Sequence, residues 1–250
     1  MQARYVNHTR PVNHRLFAAS RGAPLKPIIE SEIQYSSMYY KGGAKLEHLR
    51  DRAIQEISTH HDPESCVVYI VGGLPSVTQK DADKHWSRGV SYEEVVFVED
   101  EDAAVQRVNA LIDDIDYRIR YLGATPCFST IIPMSLRIWN DTRLNQGKTH
   151  MLLHTKHYED MQFFLTNAIR RINHHITCVN VNNQVATPQM FDVVATYHQG
   201  VSRIHYDRFT DGVHLNQDYA KKCAKKLSTA MNHNTYVLGR ALGHNIVYNW

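Results

Sequence analysis

Hydrophobic residues recur along the chain at two different spacings, and these predict strands that alternate with helices. Cys66–Val71 is a continuous apolar run of strand length, which is typical of a parallel strand covered on both faces. Residues 100–122 carry apolar side chains three and four positions apart, which is typical of an amphipathic helix. Alternating strands and helices predict an α/β fold, with a central parallel sheet between two layers of helices.

The same spacings assign the rest of the chain. We predict strands over residues 4–6, 33–40, 66–71, 125–132 and 176–181, and helices over 10–19, 44–58, 100–122, 157–172 and 217–230. Residues 77–89 and 135–149 are predicted as polar loops, and 92–98 fits either a strand or a loop. Because no linker or repeat divides the pattern, we expect one domain over residues 1–231. A tail over 232–250 is expected to pack on this domain or on a partner.

Composition narrows the class of protein. The 250 residues are 43% hydrophobic and 21% charged, as in an ordinary globular domain, and a net charge of +3 does not by itself indicate nucleic-acid binding. None of the four cysteines belongs to a CxxC pair, so we expect free thiols in a reducing compartment. The first residues lack an apolar secretory segment, and no run approaches the roughly 18 apolar residues of a membrane span. We therefore expect a soluble intracellular protein.

Candidate chemistry lies in the turns that follow the predicted strands. Asp211 precedes His214 by three residues before a predicted helix, where a carboxylate can hold the imidazole in one tautomer and stabilise its protonated form. Such a pair is the base half of a serine-hydrolase triad. The turns at residues 7–9, 42–43 and 72–75 also follow predicted strands. Because the carboxyl ends of parallel strands meet at one edge of a sheet, we expect these turns to line one site.

The order of these turns resembles the SGNH (GDSL-type) hydrolase superfamily, which has a flavodoxin-like, three-layer α/β fold. In that superfamily a Gly-Asp-Ser block carrying the nucleophile follows the first strand, and a Gly follows the second. A Gly-x-Asn-Asp block follows the third strand, and an Asp-x-x-His block precedes the last helix. Asp211 and His214 match the last block, Gly42-Gly43 match the second, and residues 72–75 stand in the place of the third.

The resemblance implies roles for individual residues. Residues 7–9, Asn-His-Thr, align best with the Gly-Asp-Ser block, so Thr9 is the implied nucleophile. Ser20 is a poorer candidate, because no strand is predicted before it. The implied oxyanion hole and pocket consist of Gly43, Gly72, Gly73 and Leu74. Neither a cofactor nor a metal is implied.

Two departures from the family pattern bear on activity. Leu74 stands where the family has an Asn that donates to the oxyanion, and losing one such donor costs about 2.7–4 kcal/mol of transition-state stabilisation. The methyl group of Thr9 would restrict χ1 at the nucleophile. We therefore expect a degenerate, non-hydrolytic binding or structural domain, with a viral or mobile-element origin in keeping with that role. The alternative is an active hydrolase of small acyl esters that uses Thr9, His214 and Asp211.

A third hypothesis is a nucleic-acid or protein interaction module. It depends on a basic face of the last predicted helix, formed by Lys221, Lys222, Lys225 and Lys226, which could contact phosphates. More often such a face is simply solvated. Two pairs of adjacent histidines, His60-His61 and His174-His175, do not predict a metal site, because neighbouring side chains diverge and no third ligand is suitably spaced. The expected partner is otherwise a small ligand or a protein, and not a membrane.

Overall fold

The computed structural model describes residues 11–85, 90–198 and 201–242. Within them the strands are β1 Asn13–Ala18, β2 Ser36–Tyr40, β3 Cys66–Val71, β4 Gln79–His85, β5 Val90–Val96, β6 Thr125–Phe128, β7 Ala195–His198 and β8 Val201–Ile204. The helices are α1 Lys26–Glu32, α2 Leu46–Ile57, α3 Leu74–Val77, α4 Glu101–Tyr121, α5 Leu136–Asn145, α6 Tyr158–Asn182 and α7 Gln217–Ala241. The central sheet has the order β2-β1-β3-β6, and all of its pairs are parallel.

Side chains that alternate along the strands build a separate core on each face of this sheet. Phe17, opposite Ile70, packs into a core with helices α2, α4 and α6. Leu16, opposite Tyr69, packs into a core with helices α1 and α7 on the other face. Helices therefore cover both faces of a parallel sheet, which confirms the predicted three-layer α/β fold.

The first strand of the sheet lies where a helix was predicted. Residues 10–19 are wrong as a helix, because Asn13–Ala18 forms β1 between β2 and β3. Polar His14 and Arg15 interrupt the hydrophobic pattern that would indicate a strand. Both side chains have polar partners in the fold: the His14 ring lies at hydrogen-bond distance from the Thr235 hydroxyl, and Arg15 donates to the Ser37 hydroxyl. The predicted strand over residues 4–6 lies outside the described residues.

The predicted strand over residues 176–181 is also wrong, because α6 continues through it to Asn182. Its β-branched residues suggested a strand, but Ile176 and Val179 continue the buried stripe of the helix while Val181 is 66% exposed. Two asparagine amides then satisfy backbone groups at the end of β6 and just beyond it. Asn180 pairs with the N–H and C=O of Phe128, and Asn173 pairs with those of Ile131. Helix α6 thereby takes the place of another strand beside β6.

Two further elements occupy regions predicted as loops. Strands β4 and β5 form an antiparallel hairpin, with Gln79 opposite Val96, inserted between β3 and α4. Helix α5 lies in the region 135–149 and is capped by Ser135, whose hydroxyl accepts from the Ile138 N–H. The amide of Asn140 pairs with the N–H and C=O of Val95, which fixes α5 against the hairpin.

Several predicted boundaries also move. Residues 33–35 are not strand, since β2 begins at Ser36, and β6 ends at Phe128 rather than at residue 132. Helix α7 continues to Ala241 instead of ending near residue 230, so it includes much of the predicted tail. In this extension Asn234 is buried and donates to the Tyr69 hydroxyl. None of the helices in the described ranges is both long and apolar enough to span a bilayer.

Candidate active site

Ser20 lies at the carboxyl end of β1, as the first residue of a 3₁₀ turn that ends at Gly22. The strand end is held from both sides: the Ala19 N–H donates to Val71 O at 3.0 Å, and the Lys41 N–H donates to Ala18 O at 3.0 Å. The prediction that no strand precedes Ser20 is therefore wrong. Ser20 instead follows the first described strand of the sheet, which is where the resemblance places a nucleophile.

Arg21 ties this turn to two distant loops. Its guanidinium donates to the carbonyl oxygens of Ile132 at 2.5 Å, Pro133 at 2.9 Å and Val213 at 2.9 Å. Burial lowers the pKa of Arg21 to about 10, although nearby Asp211 favours the charged form. One of these bonds connects the Ser20 turn to the residue before His214, and the other two connect it to the segment after β6. The sequence pattern gave no sign of them.

Asp211 makes three hydrogen bonds in this turn, two with His214 and one with Val213. One carboxylate oxygen lies 2.7 Å from Nδ1 of the His214 ring, and the other accepts from the backbone N–H groups of His214 at 2.7 Å and Val213 at 3.0 Å. Burial alone would raise the pKa of Asp211, but these bonds keep it below its usual value. The carboxylate is therefore ionised at neutral pH, and the ring is oriented with Nε2 away from Asp211.

The first turn of helix α5 packs against the turn that holds Asp211 and His214. Gly212 has φ +85°, and a Cβ at this position would lie 2.7 Å from Trp139 N. Only a glycine allows this approach, which lets Gly212 O accept from the Ser135 N–H at 2.8 Å. The Trp139 ring consequently lies edge-on to the His214 ring, with centroids 6.1 Å apart. Trp139 was predicted to lie in a loop, and its role beside His214 has no signature in the sequence.

Ser20 and His214 line the same cleft, which has a volume of about 870 Å³. Gly43, Leu74 and Trp139 line it as well. Within the described parts of the chain, no protein group accepts a hydrogen bond from the amide N–H of Ser20 or Gly43. Because both residues line the cleft, their amide N–H groups are candidate donors to a negatively charged oxygen there. No hydrogen bond joins Ser20 to His214 among the contacts of the described residues.

The other predicted site residues fall in different places. Thr9 lies outside the described residues. Gly72 lines a smaller cavity behind Ser20, while Gly73 has φ +115° and lies against Ile131. The basic residues of α7 are all exposed, on the side of the helix away from the sheet. These are Lys221, Lys222, Lys225 and Lys226.

The histidine pairs lie apart from this cleft. His60 lies 3.2 Å from Arg15 and stacks on His61, while His175 lies 2.7 Å from the Asp113 carboxylate. In the described ranges, no group of three or more His, Cys, Asp or Glu side chains is arranged to hold a metal ion.

Comparison with known proteins gives matches through structure alone. No known family profile and no curated protein matches the sequence. A protein assigned as an acylhydrolase from Bacteroides fragilis superimposes with a TM-score of 0.58 at 10% identity, over 90% of this chain and 88% of that one. A GDSL-like lipase from Bacteroides thetaiotaomicron gives 0.56 at 8% identity, over 90% and 88%. A member of the lipolytic G-D-S-L family from Veillonella parvula gives 0.53 at 9% identity, over 88% and 98%. At these identities the likeness concerns the fold.

Proposed function

We propose that this chain, whose fold is that of the SGNH (GDSL-type) hydrolases, hydrolyses carboxylic esters with Ser20, His214 and Asp211. The observation that carries the proposal is that Ser20, at the end of β1, lines one cleft with His214, which lies just before α7. Asp211 occupies Nδ1 of the His214 ring and leaves Nε2 for the Ser20 hydroxyl. The lack of a hydrogen bond between Ser20 and His214 does not oppose this, because catalytic hydrogen bonds often form only with substrate bound.

Each residue has a definite task in this reaction. The Ser20 Oγ attacks the acyl carbon while Nε2 of His214 takes its proton, and Asp211 stabilises the imidazolium that forms. The amide N–H groups of Ser20 and Gly43 donate to the oxyanion. When the intermediate collapses, His214 protonates the departing alcohol. A water molecule then attacks the acyl-enzyme with His214 again as the base, which releases the acid and restores Ser20.

Ser20 replaces Thr9 in this proposal for reasons of position. In the family pattern the nucleophile block directly follows the first strand. Here Ala18-Ala19-Ser20 ends β1 and enters the following turn, so alanines stand where the family has Gly and Asp. Ser20 also avoids the extra methyl group that makes a threonine a poorer nucleophile in a site shaped for serine.

A non-hydrolytic binding pocket is the second candidate, and Leu74 favours it. Leu74 lines the cleft in the place of the family's Asn, and a leucine cannot donate to an oxyanion. The missing donor corresponds to about 2.7–4 kcal/mol of transition-state stabilisation. In this alternative the Asp211–His214 pair would serve to hold a ligand rather than to catalyse its cleavage.

Hydrolysis of p-nitrophenyl butyrate separates the two candidates. We expect Ser20→Ala and His214→Ala each to reduce kcat by roughly 10⁴-fold or more, since triad members act as a unit. Thr9→Ala and Ser31→Ala, the latter an exposed serine of α1, should leave the rate unchanged. A fluorophosphonate probe should label Ser20, as located by peptide mass spectrometry. Folded protein with no hydrolysis above buffer and no labelling would instead favour the binding pocket.

A further inference from the structure

A second cavity opens beside the proposed catalytic residues and differs from the cleft in size and chemistry. It has a volume of about 80 Å³, and Ser20 and His214 both line it. Arg21 lines it too, with its guanidinium bonded to three carbonyl groups, and the rest of its wall is mostly apolar. The side chains that form this wall include Pro24, Leu25, Val71, Ile132, Met190 and Leu215. We call it the inner pocket. Apolar walls favour a hydrocarbon group over a polar one.

The volume of the inner pocket limits what it can hold. An apolar protein cavity of about 150 Å³ takes up benzene, which has six carbon atoms. By proportion, about 80 Å³ accommodates roughly three carbon atoms. A chain of eight or more carbons therefore cannot enter without displacing side chains such as Met190, which is only 3% exposed.

The cleft described above, which we call the outer cleft, shares Ser20, Leu74 and His214 with the inner pocket. It is about ten times larger, at about 870 Å³ against about 80 Å³. Charged and polar side chains line it, among them Lys45, Lys80 and Arg107. Arg107 is held in place by Glu99 at 2.6 Å and by Ser76 O at 2.8 Å. Trp139 adds one aromatic surface. Fixed polar groups with an aromatic wall suit a bulky, hydrogen-bonding molecule.

We propose that the substrate is a short acyl ester of a bulky polar alcohol. The acyl group, of two to four carbons, occupies the inner pocket, and the alcohol occupies the outer cleft. Water cleaves the acyl–oxygen bond to give a short carboxylic acid and the free alcohol. This inference rests on the proposed function, and it adds the substrate class.

The opposite arrangement is disfavoured by charge and size. A long acyl chain in the outer cleft would lie against the ammonium of Lys45 and against that of Lys80, which pairs with Glu93 at 3.0 Å, and would exclude water from both charges. The alcohol would then have to fit into the inner pocket, which limits it to roughly three carbons.

Acyl selectivity is tested with p-nitrophenyl acetate, butyrate, octanoate and laurate. We expect kcat/KM for butyrate to exceed that for octanoate by roughly tenfold or more, since a misfitting methylene already costs about that factor. Met190→Ala should narrow the ratio by enlarging the inner pocket. Met161→Ala, on α6 and lining neither cavity, should preserve it. Octanoate turned over as well as butyrate by the unaltered protein would overturn the inference while leaving the proposed function intact.

A binding measurement makes the inference independent of turnover. In Ser20→Ala, sodium butyrate should raise the Tm more than octanoate does at equal concentration, although octanoate is the more hydrophobic. Preferential stabilisation of Ser20→Ala by butyrate, together with no ester hydrolysis by the unaltered protein, would defeat the proposed function and keep the assignment of the inner pocket. Equal or greater stabilisation by octanoate would defeat that assignment.

The alcohol side is tested with glucose pentaacetate against ethyl acetate. We expect higher kcat/KM for the acetylated sugar, because it can fill the outer cleft. Lys80→Met should raise its KM between about two- and tenfold, the effect of one lost hydrogen bond. Lys148→Met, an exposed lysine beyond α5, is the matched control and should change nothing. Faster hydrolysis of ethyl acetate than of the sugar acetate would overturn this half of the proposal.

Discussion

His14 lies near the first residue of β1, and His214 lines the cleft at the carboxyl end of the same strand. The two rings differ in exposure and in hydrogen-bond partner. His214 is 41% exposed at its side chain and faces a carboxylate across 2.7 Å. His14, on β1, is only 1% exposed and has a hydroxyl, that of Thr235, as its polar neighbour at 2.8 Å. The first site thus pairs an accessible ring with a carboxylate, whereas burial opposes protonation of the ring at the second.

The hydrogen bonds around His14 also define its tautomer. The Thr235 hydroxyl already donates to Met231 O, so its oxygen accepts a hydrogen bond from the Nε2–H group of His14. Nδ1 is left without a partner among the described residues, as an acceptor in an apolar setting. Burial accordingly lowers the pKa of His14 to about 4. The comparison teaches that the partner and the access to water, rather than the residue type, separate a candidate base from a structural ring.

Removing the negative charge at the cleft should have the largest effect. Asp211→Asn keeps the size of the side chain but presents an N–H to the ring, which favours the wrong tautomer of His214. We expect kcat for p-nitrophenyl butyrate to fall roughly 10⁴-fold with little change in fold. Asp113→Asn, which alters the exposed pair with His175, should leave kcat unchanged. An active Asp211→Asn protein would show that His214 needs no oriented tautomer.

The link between the Ser20 turn and the His214 loop can be broken at Arg21. Arg21→Met keeps the apolar stem but removes three charge-assisted bonds to carbonyl groups. We expect the free energy of unfolding to fall by about 4 kcal/mol in urea titrations, together with a loss of kcat. Arg137→Met, at an exposed residue of α5, should cost less than about 0.5 kcal/mol. A stability change below about 1 kcal/mol for Arg21→Met would remove Arg21 from this structural role.

Restoring an oxyanion donor at position 74 tests whether the cleft is a catalytic site. Leu74→Asn introduces a donor where the family pattern has one, so kcat should rise roughly 10²-fold if Ser20 already forms the acyl-enzyme. Leu74→Ala is the control, because it opens the same space without adding a donor. An equal increase in both variants would attribute the gain to access and not to oxyanion stabilisation.

The buried His14 should make the free energy of unfolding depend on pH. The folded-state pKa of His14 is about 4, below its ordinary value of 6.5, so the unfolded chain takes up a proton first as the pH falls. The stability that neutral His14 adds to the free energy of unfolding is fully present above pH 6.5. It is lost as the pH falls from there to about pH 4, a difference of about 3 kcal/mol. In urea titrations, the free energy of unfolding of His14→Gln should fall less between pH 6.5 and pH 4 than that of the unaltered protein. His233→Gln, at an exposed position, should behave as the unaltered protein does.

The smallest effect is expected on the basic face of α7, away from both histidines. Replacing Lys221, Lys222, Lys225 and Lys226 by Gln should change the free energy of unfolding by less than about 0.5 kcal/mol per residue and leave ester hydrolysis unchanged. Fluorescence titration with single-stranded DNA at several salt concentrations provides the contrasting test. Steeply salt-dependent binding that the fourfold variant loses would support the nucleic-acid module.

Patterns within short segments determined much of the fold in advance. The predicted helix over 100–122 is observed as Glu101–Tyr121, and the apolar run Cys66–Val71 is the fully buried strand β3. The Asp211 to His214 spacing produced a closed turn, because a carboxylate three residues before the ring can reach both its Nδ1 and the intervening N–H groups. In each case the interactions that select the structure lie within one helical turn, one strand or one loop.

Tertiary structure decided what depends on distant partners. Asn13–Ala18 is a strand because β2 and β3 pair with both of its edges, and no local periodicity records those partners. That strand is what brings Ser20 to the cleft that His214 also lines. The bonds of Arg21 join segments more than a hundred residues apart in sequence. The contact between Trp139 and His214 joins segments separated by a whole helix. Likewise, residues 176–181 remain helical because Asn173 and Asn180 pair with backbone groups beyond and within β6. Long-range pairing of this kind outweighs the weak local preferences of a six-residue segment, so the sequence predicted the layers and the Asp211–His214 pair, whereas the candidate nucleophile became apparent only in the folded chain.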